Sequence, residues 1–161
     1  GEYPYTINPG GPNHEELVSL IGIYEYFNNL YNHHFDEKNI SFLKKIKKIN
    51  NLISNHEENL ANPILKYLKS RKDLVLIGKD NIKDKDRAPT ISFISKTKTS
   101  KKVSNILVEN KIATRNDNFY AWRCLKALGI DTNDGVVRIS LTHYNKISEI
   151  NNLIKILDEK I

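Results

Sequence analysis

"APTISFISKTKTSKKVSNILVENKIATRNDNFYAWRCLKALGIDTNDGVVRISL", residues 88–141, holds the pattern on which the fold depends. Its first segment, "APTISFIS", alternates apolar and polar positions, the period of a strand with one buried face. "TSKKVSNILVENK" then sets Val103, Ile106 and Leu107 at the spacing of one helical face. "IATR" reads as a short strand, "FYAWRCLKALG" as a short helix stopped by Gly129, and "GVVRISLTH" as a strand again. Strands and helices that each carry one apolar side must cover one another, so this alternation predicts a two-layer α/β domain.

Reading outward, Leu74–Ile77 is a β-like run ended by Gly78 and the polar loop "KDNIKDKD". Downstream, "KISEINNLIKILDEKI" is a closing helix with Ile147, Ile150, Leu153, Ile154 and Leu157 on one face. The expected fold class is α/β in its α+β two-layer form: a small antiparallel or mixed sheet with helices on one face, over residues 71–161. A helical arm over residues 13–70 precedes it. Asn13 caps the first helix, with Glu16 at capping-box distance, and Leu17, Leu20, Ile21, Tyr24, Phe27 and Tyr31 form its stripe. The second helical region runs from about Ser41 to Ser70 around Pro63, which removes a backbone donor and crowds the preceding turn. A kink or two separate helices is expected there. Residues 1–12, with Pro4, Pro9, Gly10, Gly11 and Pro12, read as an extended lead-in.

Hydrophobic residues make up 39% of the 161 and charged ones 27%, the balance of a globular chain with one ordinary core and an added arm. No apolar run approaches the roughly 18 residues of a membrane helix, and the N-terminus shows neither a basic start nor an apolar stretch of a secretory signal. With a single cysteine, the chain is expected to be cytoplasmic, with no membrane partner. It contains no methionine and starts at Gly1, and so reads as a piece of something longer. The net charge of +6 raises the question of nucleic acid, but the lysines are spread from Lys38 to Lys160 amid an excess of Asn and Ile. The dense run "FLKKIKKINNLI" is accounted for by a solvated helix face, so nucleic-acid binding ranks last among the readings.

Chemistry concentrates between Arg115 and Arg138. Cys124 is a conceivable nucleophile beside Arg123, but it has no histidine near it in sequence. Its helical spacing with Tyr120, Ala121, Leu125 and Leu128 favours a buried structural thiol. His33 and His34 are adjacent and would point apart on a helix; no metal set is expected. Arg115 ends one strand and Arg138 lies inside another, where a guanidinium needs either an anion or a structural salt bridge to Asp117, Asp131 or Asp134. Sequence physics leaves those two readings level.

"RAPTISF", "IATRNDNFYAWR", "LGIDTNDGVVRISLTHYN" and the final amphipathic helix together resemble the C-terminal small domain of class V aminotransferases, in their cysteine desulfurase-like branch. The upstream "PGGPNHEE" resembles the Gly-Thr-Pro-Asn segment that leads from the large domain into the long helix. The resemblance implies a dimeric enzyme dependent on pyridoxal phosphate and acting on an amino acid. It gives Arg138 the substrate's α-carboxylate and places Arg115 at the rim of the site. Tyr120 stands where a desulfurase carries its persulfide-forming cysteine, and Cys124 lies one turn further on. Asp117 and Asn118 replace Gly-His, and Asn118 joins the expected substrate-binding set. Gly11 matches the threonine that reaches the cofactor phosphate of the partner subunit, so that only a backbone amide is left for that contact.

The resemblance further implies that the Schiff-base lysine belongs to a large domain upstream of "PGGPN". The chain alone is then expected to be inactive, with its own large domain and a homodimer partner completing the enzyme. A non-catalytic small-domain binding module is the competing reading.

Overall fold

The structure, a computed structural model, describes residues 10–82 and 87–161; most of the expected lead-in lies outside them. The chain forms two compact units that divide between Leu52 and Ile53. In the first, Asn13 starts α1 (His14–His34), its side-chain oxygen accepting from the backbone N–H of Glu15 and Glu16 at 3.1 and 3.2 Å. The helix runs one turn past Tyr31, which is fully buried, stacks on Phe35 at 5.0 Å and lies under the Lys45 ammonium. Of the apolar stripe, Leu17, Leu20, Ile21 and Tyr24 are exposed.

The helix α2 (Phe42–Ser70) is continuous through Pro63, so the chain does not form the two separate helices that were one of the outcomes expected there. Its second half belongs to the α/β unit, because Leu60, Ala61, Ile64, Leu65 and Leu68 are buried in that unit's core. The compact unit of the sheet thus takes in the second half of the helix, from Ile53 on. One proline in a helix loses a single hydrogen bond, and five buried side chains on one face offset it.

Four strands follow: β1 (Leu74–Ile77), β2 (Thr90–Ser95), β3 (Arg115–Asp117) and β4 (Val136–Ser140), in the order β1-β2-β4-β3 with every neighbour antiparallel. Ile91, Phe93, Val137 and Ile139 alternate onto one face. There they join α3 (Ser100–Glu109), α5 (Ile147–Lys160) and the second half of α2 in a single apolar core. The opposite face carries Ser92 and Arg138. The α/β class with a small antiparallel sheet is the architecture found.

Three local expectations change. The strand expected at "IATR" starts only at Arg115, because α3 closes with Lys111 left-handed and the Ile112 N–H donating to Leu107 O, which holds the chain off β4 until Arg115. The short helix α4 (Trp122–Ala127) starts after Phe119 and Tyr120, since both have positive φ. Gly129 stops it at φ +71, with the Ile130 N–H reaching Leu125 O in a Schellman closure. Ile147, expected inward, is half exposed at the first position of α5.

Candidate functional site

The antiparallel register of β3 and β4 sets Arg115 directly opposite Arg138, and that of β2 and β4 sets Ser92 on the other side of Arg138. Like charges paired across a sheet repel, so this arrangement is unfavourable unless other groups compensate it. One compensating group is the Phe119 ring. The Arg138 guanidinium carbon lies 4.3 Å from its centroid and that of Arg115 lies 5.8 Å away. A cation over an aromatic face contributes about 1 kcal/mol, which softens the repulsion without supplying a hydrogen bond.

The ring reaches this place because its loop is held in an uncommon shape. Phe119 and Tyr120 have φ of 52° and 60°, two successive left-handed residues, each costing about 1 kcal/mol or more. Asn118 is the brace. Its side-chain oxygen accepts from the Tyr120 N–H at 3.1 Å, its amide donates to Thr132 O at 3.3 Å, and its carbonyl accepts from the Ala121 N–H at 2.8 Å. Gly135 provides the remaining constraint. At φ +71, a Cβ there would lie 2.3 Å from the carbonyl carbon of Asp117 and 2.7 Å from the backbone nitrogen of Asn118. Only glycine lets the chain entering β4 press this closely on the loop.

Arg138 is partly covered, and its Nε is buried without a hydrogen-bond partner, alone in this among the buried side-chain nitrogens and oxygens of the described residues. The three aspartates that could have paired with it are engaged elsewhere. Asp134 accepts from the Ser100 N–H with both oxygens, at 2.9 and 3.1 Å, at the start of α3. Asp131 accepts from the Asn133 N–H at 2.9 Å, and Asp117 from the Asn118 N–H at 2.6 Å. Among the described residues, neither Arg115 nor Arg138 makes an ion pair. A buried donor left unmade costs about 1–3 kcal/mol, a cost that an incoming acceptor would remove.

Arg115, Asp117, Asn118, Phe119, Tyr120 and Arg138 line one open concavity of about 270 Å³. Four of the five residues singled out from the sequence as binding residues thus converge. The fifth, Gly11, lies in the first unit with φ +79, two residues before the Asn13 cap. Tyr120 is at the rim and fully exposed. Cys124 departs from expectation: it is exposed and not a buried structural thiol. The reason is that α4, six residues long, buries Leu125 alone. Sequence reasoning also missed the role of Phe119, grouped there with the other aromatics, and of Gly135. The only textual signal for the latter was an Asp-Gly turn ahead of a strand.

Among the described residues, no group of three or more His, Cys, Asp or Glu could hold a metal ion, and no helix is long and apolar enough to cross a membrane. The family of class-V aminotransferases matches residues 5–153. The chain belongs to this family. It is 28% identical over 96 residues to the aminotransferase-like protein FGM3 of Gibberella zeae, a match covering 59% of this chain and 24% of that protein. Its fold is similar to that of the cysteine desulfurase of Thermococcus onnurineus, with a TM-score of 0.60 and 24% identity, over 73% of this chain and 29% of the other. The cysteine desulfurase CsdA of Escherichia coli is similar at a TM-score of 0.55 and 22% identity, over 65% of this chain and 24% of that one. The class-V aminotransferase chain described here thus spans only 24–29% of the length of these relatives.

Proposed function

We propose that this chain is the C-terminal, substrate-gripping region of a pyridoxal-phosphate-dependent, cysteine desulfurase-like enzyme acting on an amino acid. Arg138 binds the α-carboxylate through its fork, Arg115 supports it from the rim, Asn118 braces the loop, and Tyr120 helps close the pocket. The observation that carries this reading is the buried, unpartnered Nε of Arg138, opposite a second arginine in the register, with neither in an ion pair among the described residues. A carboxylate supplies two in-plane oxygens to that fork and gives the unmatched Nε an acceptor.

Pyridoxal phosphate, the cofactor of this family, supplies an electron sink when bound. The concavity at Arg138 offers guanidiniums for an anionic end and no lysine to hold the cofactor's aldehyde. Gly11, at the start of α1, is proposed for a backbone contact to the cofactor phosphate, and a large domain and a homodimer partner for the rest. The chain by itself is proposed to bind amino acid without turning it over. Tyr120 stands where a desulfurase holds its sulfur-accepting thiolate, and a phenol cannot accept sulfur as a persulfide. Sulfur transfer through this loop is therefore not part of the proposal.

The test is Arg138→Ala in the full-length enzyme. The Michaelis constant for the amino acid is expected to rise about a hundredfold, the loss for a desolvated charge pair, with a smaller change in kcat. An unchanged Michaelis constant would sink the assignment.

A further inference from the structure

We infer that Phe119 is a gate on the Arg138 fork: its ring closes the guanidinium off in this structure, and the loop that carries it swings aside to admit an acid. The cover stands on its own observations; what it admits rests on the reading of Arg138 as the carboxylate clamp. Nε of Arg138 is closed to solvent. A carboxylate oxygen is no smaller than a water oxygen, so it reaches that nitrogen only after something moves. The strands alongside are held in place, since Ser92 and Arg115 are fixed opposite Arg138 in the two ladders. The Phe119 ring is the movable neighbour. Its centroid is 4.3 Å from the guanidinium carbon to which Nε is bonded and 5.8 Å from that of Arg115, so one displacement uncovers both.

The loop lies between two fixed ends. Gly135 presses on the backbone of Asp117 and Asn118 where it starts, and Leu125 is the buried anchor of α4 beyond it. Between them Phe119 and Tyr120 hold left-handed φ at a local cost, so the closed form depends on what braces it. The braces are few. Asn118 accepts from the Tyr120 N–H and donates to Thr132 O, while the Tyr120 side chain, fully exposed, adds no burial. A segment with few buried contacts opens at a small fraction of the free energy of global unfolding. A fork takes a carboxylate in its plane while a ring lies on its face, so Phe119 returns once the acid is in place. The gate then slows exit as well as entry.

Hydrogen exchange of the Arg138 Nε–H with water, followed by NMR on the protein without ligand, tests the cover itself. That proton is expected to exchange about tenfold more slowly than the Nε–H of the exposed Arg115, because it meets water only in the open fraction. Phe119→Ala should bring the two rates together and Phe119→Leu should fall between, with the amide protection of Phe93 and Val137 in the core unchanged. If both substitutions leave the Arg138 rate alone, or speed it only together with the core amides, the gate is overturned. Acetate is then titrated in. It should shift the Arg138 Nε–H and the Tyr120 N–H over the same concentration range, since the loop turns on the bond from Tyr120 to Asn118. A shift at Arg138 with Tyr120 unmoved means that the arginine swings out instead, which overturns the gate while the clamp stands. If acetate moves the Arg138 resonance at no concentration, the clamp is wrong, and the exchange rates alone decide the gate.

Discussion

Two arginines in the α/β unit, Arg71 and Arg138, show the difference between a guanidinium the fold consumes and one it withholds. Arg71, just past the end of α2, donates through Nε and one terminal nitrogen to both oxygens of Asp73, at 2.8 and 2.6 Å. Its other terminal nitrogen reaches the Tyr67 hydroxyl at 2.6 Å and Asp158 of α5 at 3.3 Å. The bidentate pair holds the Asp73 carboxyl down at about 2 and raises Arg71 above its ordinary value. Arg138, on the open face of the sheet, has a buried Nε with no partner and a phenylalanine face in place of a carboxylate. The same residue type is thus a structural tie between α2, β1 and α5 in one place and an unmet charge in the other.

The contrast can be broken most severely at its hinge. Gly135→Ala puts a methyl group into the backbone of Asp117 and Asn118 at a positive φ, and is expected to cost about 3 kcal/mol. Thermal unfolding should show that loss together with weakened carboxylate binding, because the loop that places Phe119 must move. Arg71→Ala comes next. It should lower stability by about 2 kcal/mol in chemical denaturation and leave carboxylate affinity unchanged, whereas Arg138→Gln should do the reverse. If the two substitutions had the same effect, the distinction drawn between them would fail.

A smaller effect sharpens the same comparison through pH. Because the Asp73 carboxyl is lowered on folding, its share of the stability is complete above the ordinary carboxyl value of about 4 and is lost as pH falls through about 2. Acid unfolding followed by circular dichroism should show this limb in the native protein and lack it in Arg71→Ala. The smallest change is expected for Phe119→Leu, which removes the aromatic face under Arg138 and keeps most of the apolar bulk. Carboxylate dissociation constants should rise about threefold, in line with about 0.7 kcal/mol for a partly exposed cation on a ring. An unchanged constant would show that the ring is a bystander.

Some of this could be read directly from the chain. The alternation in "TISFIS" and "GVVRIS" marks β2 and β4, Asn13 marks the start of α1, and Gly129 marks the stop of α4. Arg115, Asn118, Tyr120 and Arg138 were singled out and do line one concavity. Two of the failures share one cause. The reading of Cys124 as buried and of Ile147 as inward treated a helical face as covered along its whole length, and the first turns of α4 and α5 are not. Pro63 was read by its local cost alone, while the buried second half of α2 decides that the helix continues.

By itself, then, the sequence determined the periods, the caps and the α/β class, because these depend on residues within a few positions of one another. It also placed two arginines in strands. The tertiary structure alone decided that they face each other across one register, that three nearby aspartates turn to backbone amides instead, and that a phenylalanine in a left-handed loop lies against both. Those outcomes depend on which strand neighbours which and on how closely Gly135 lets two segments approach, and no local spacing encodes that.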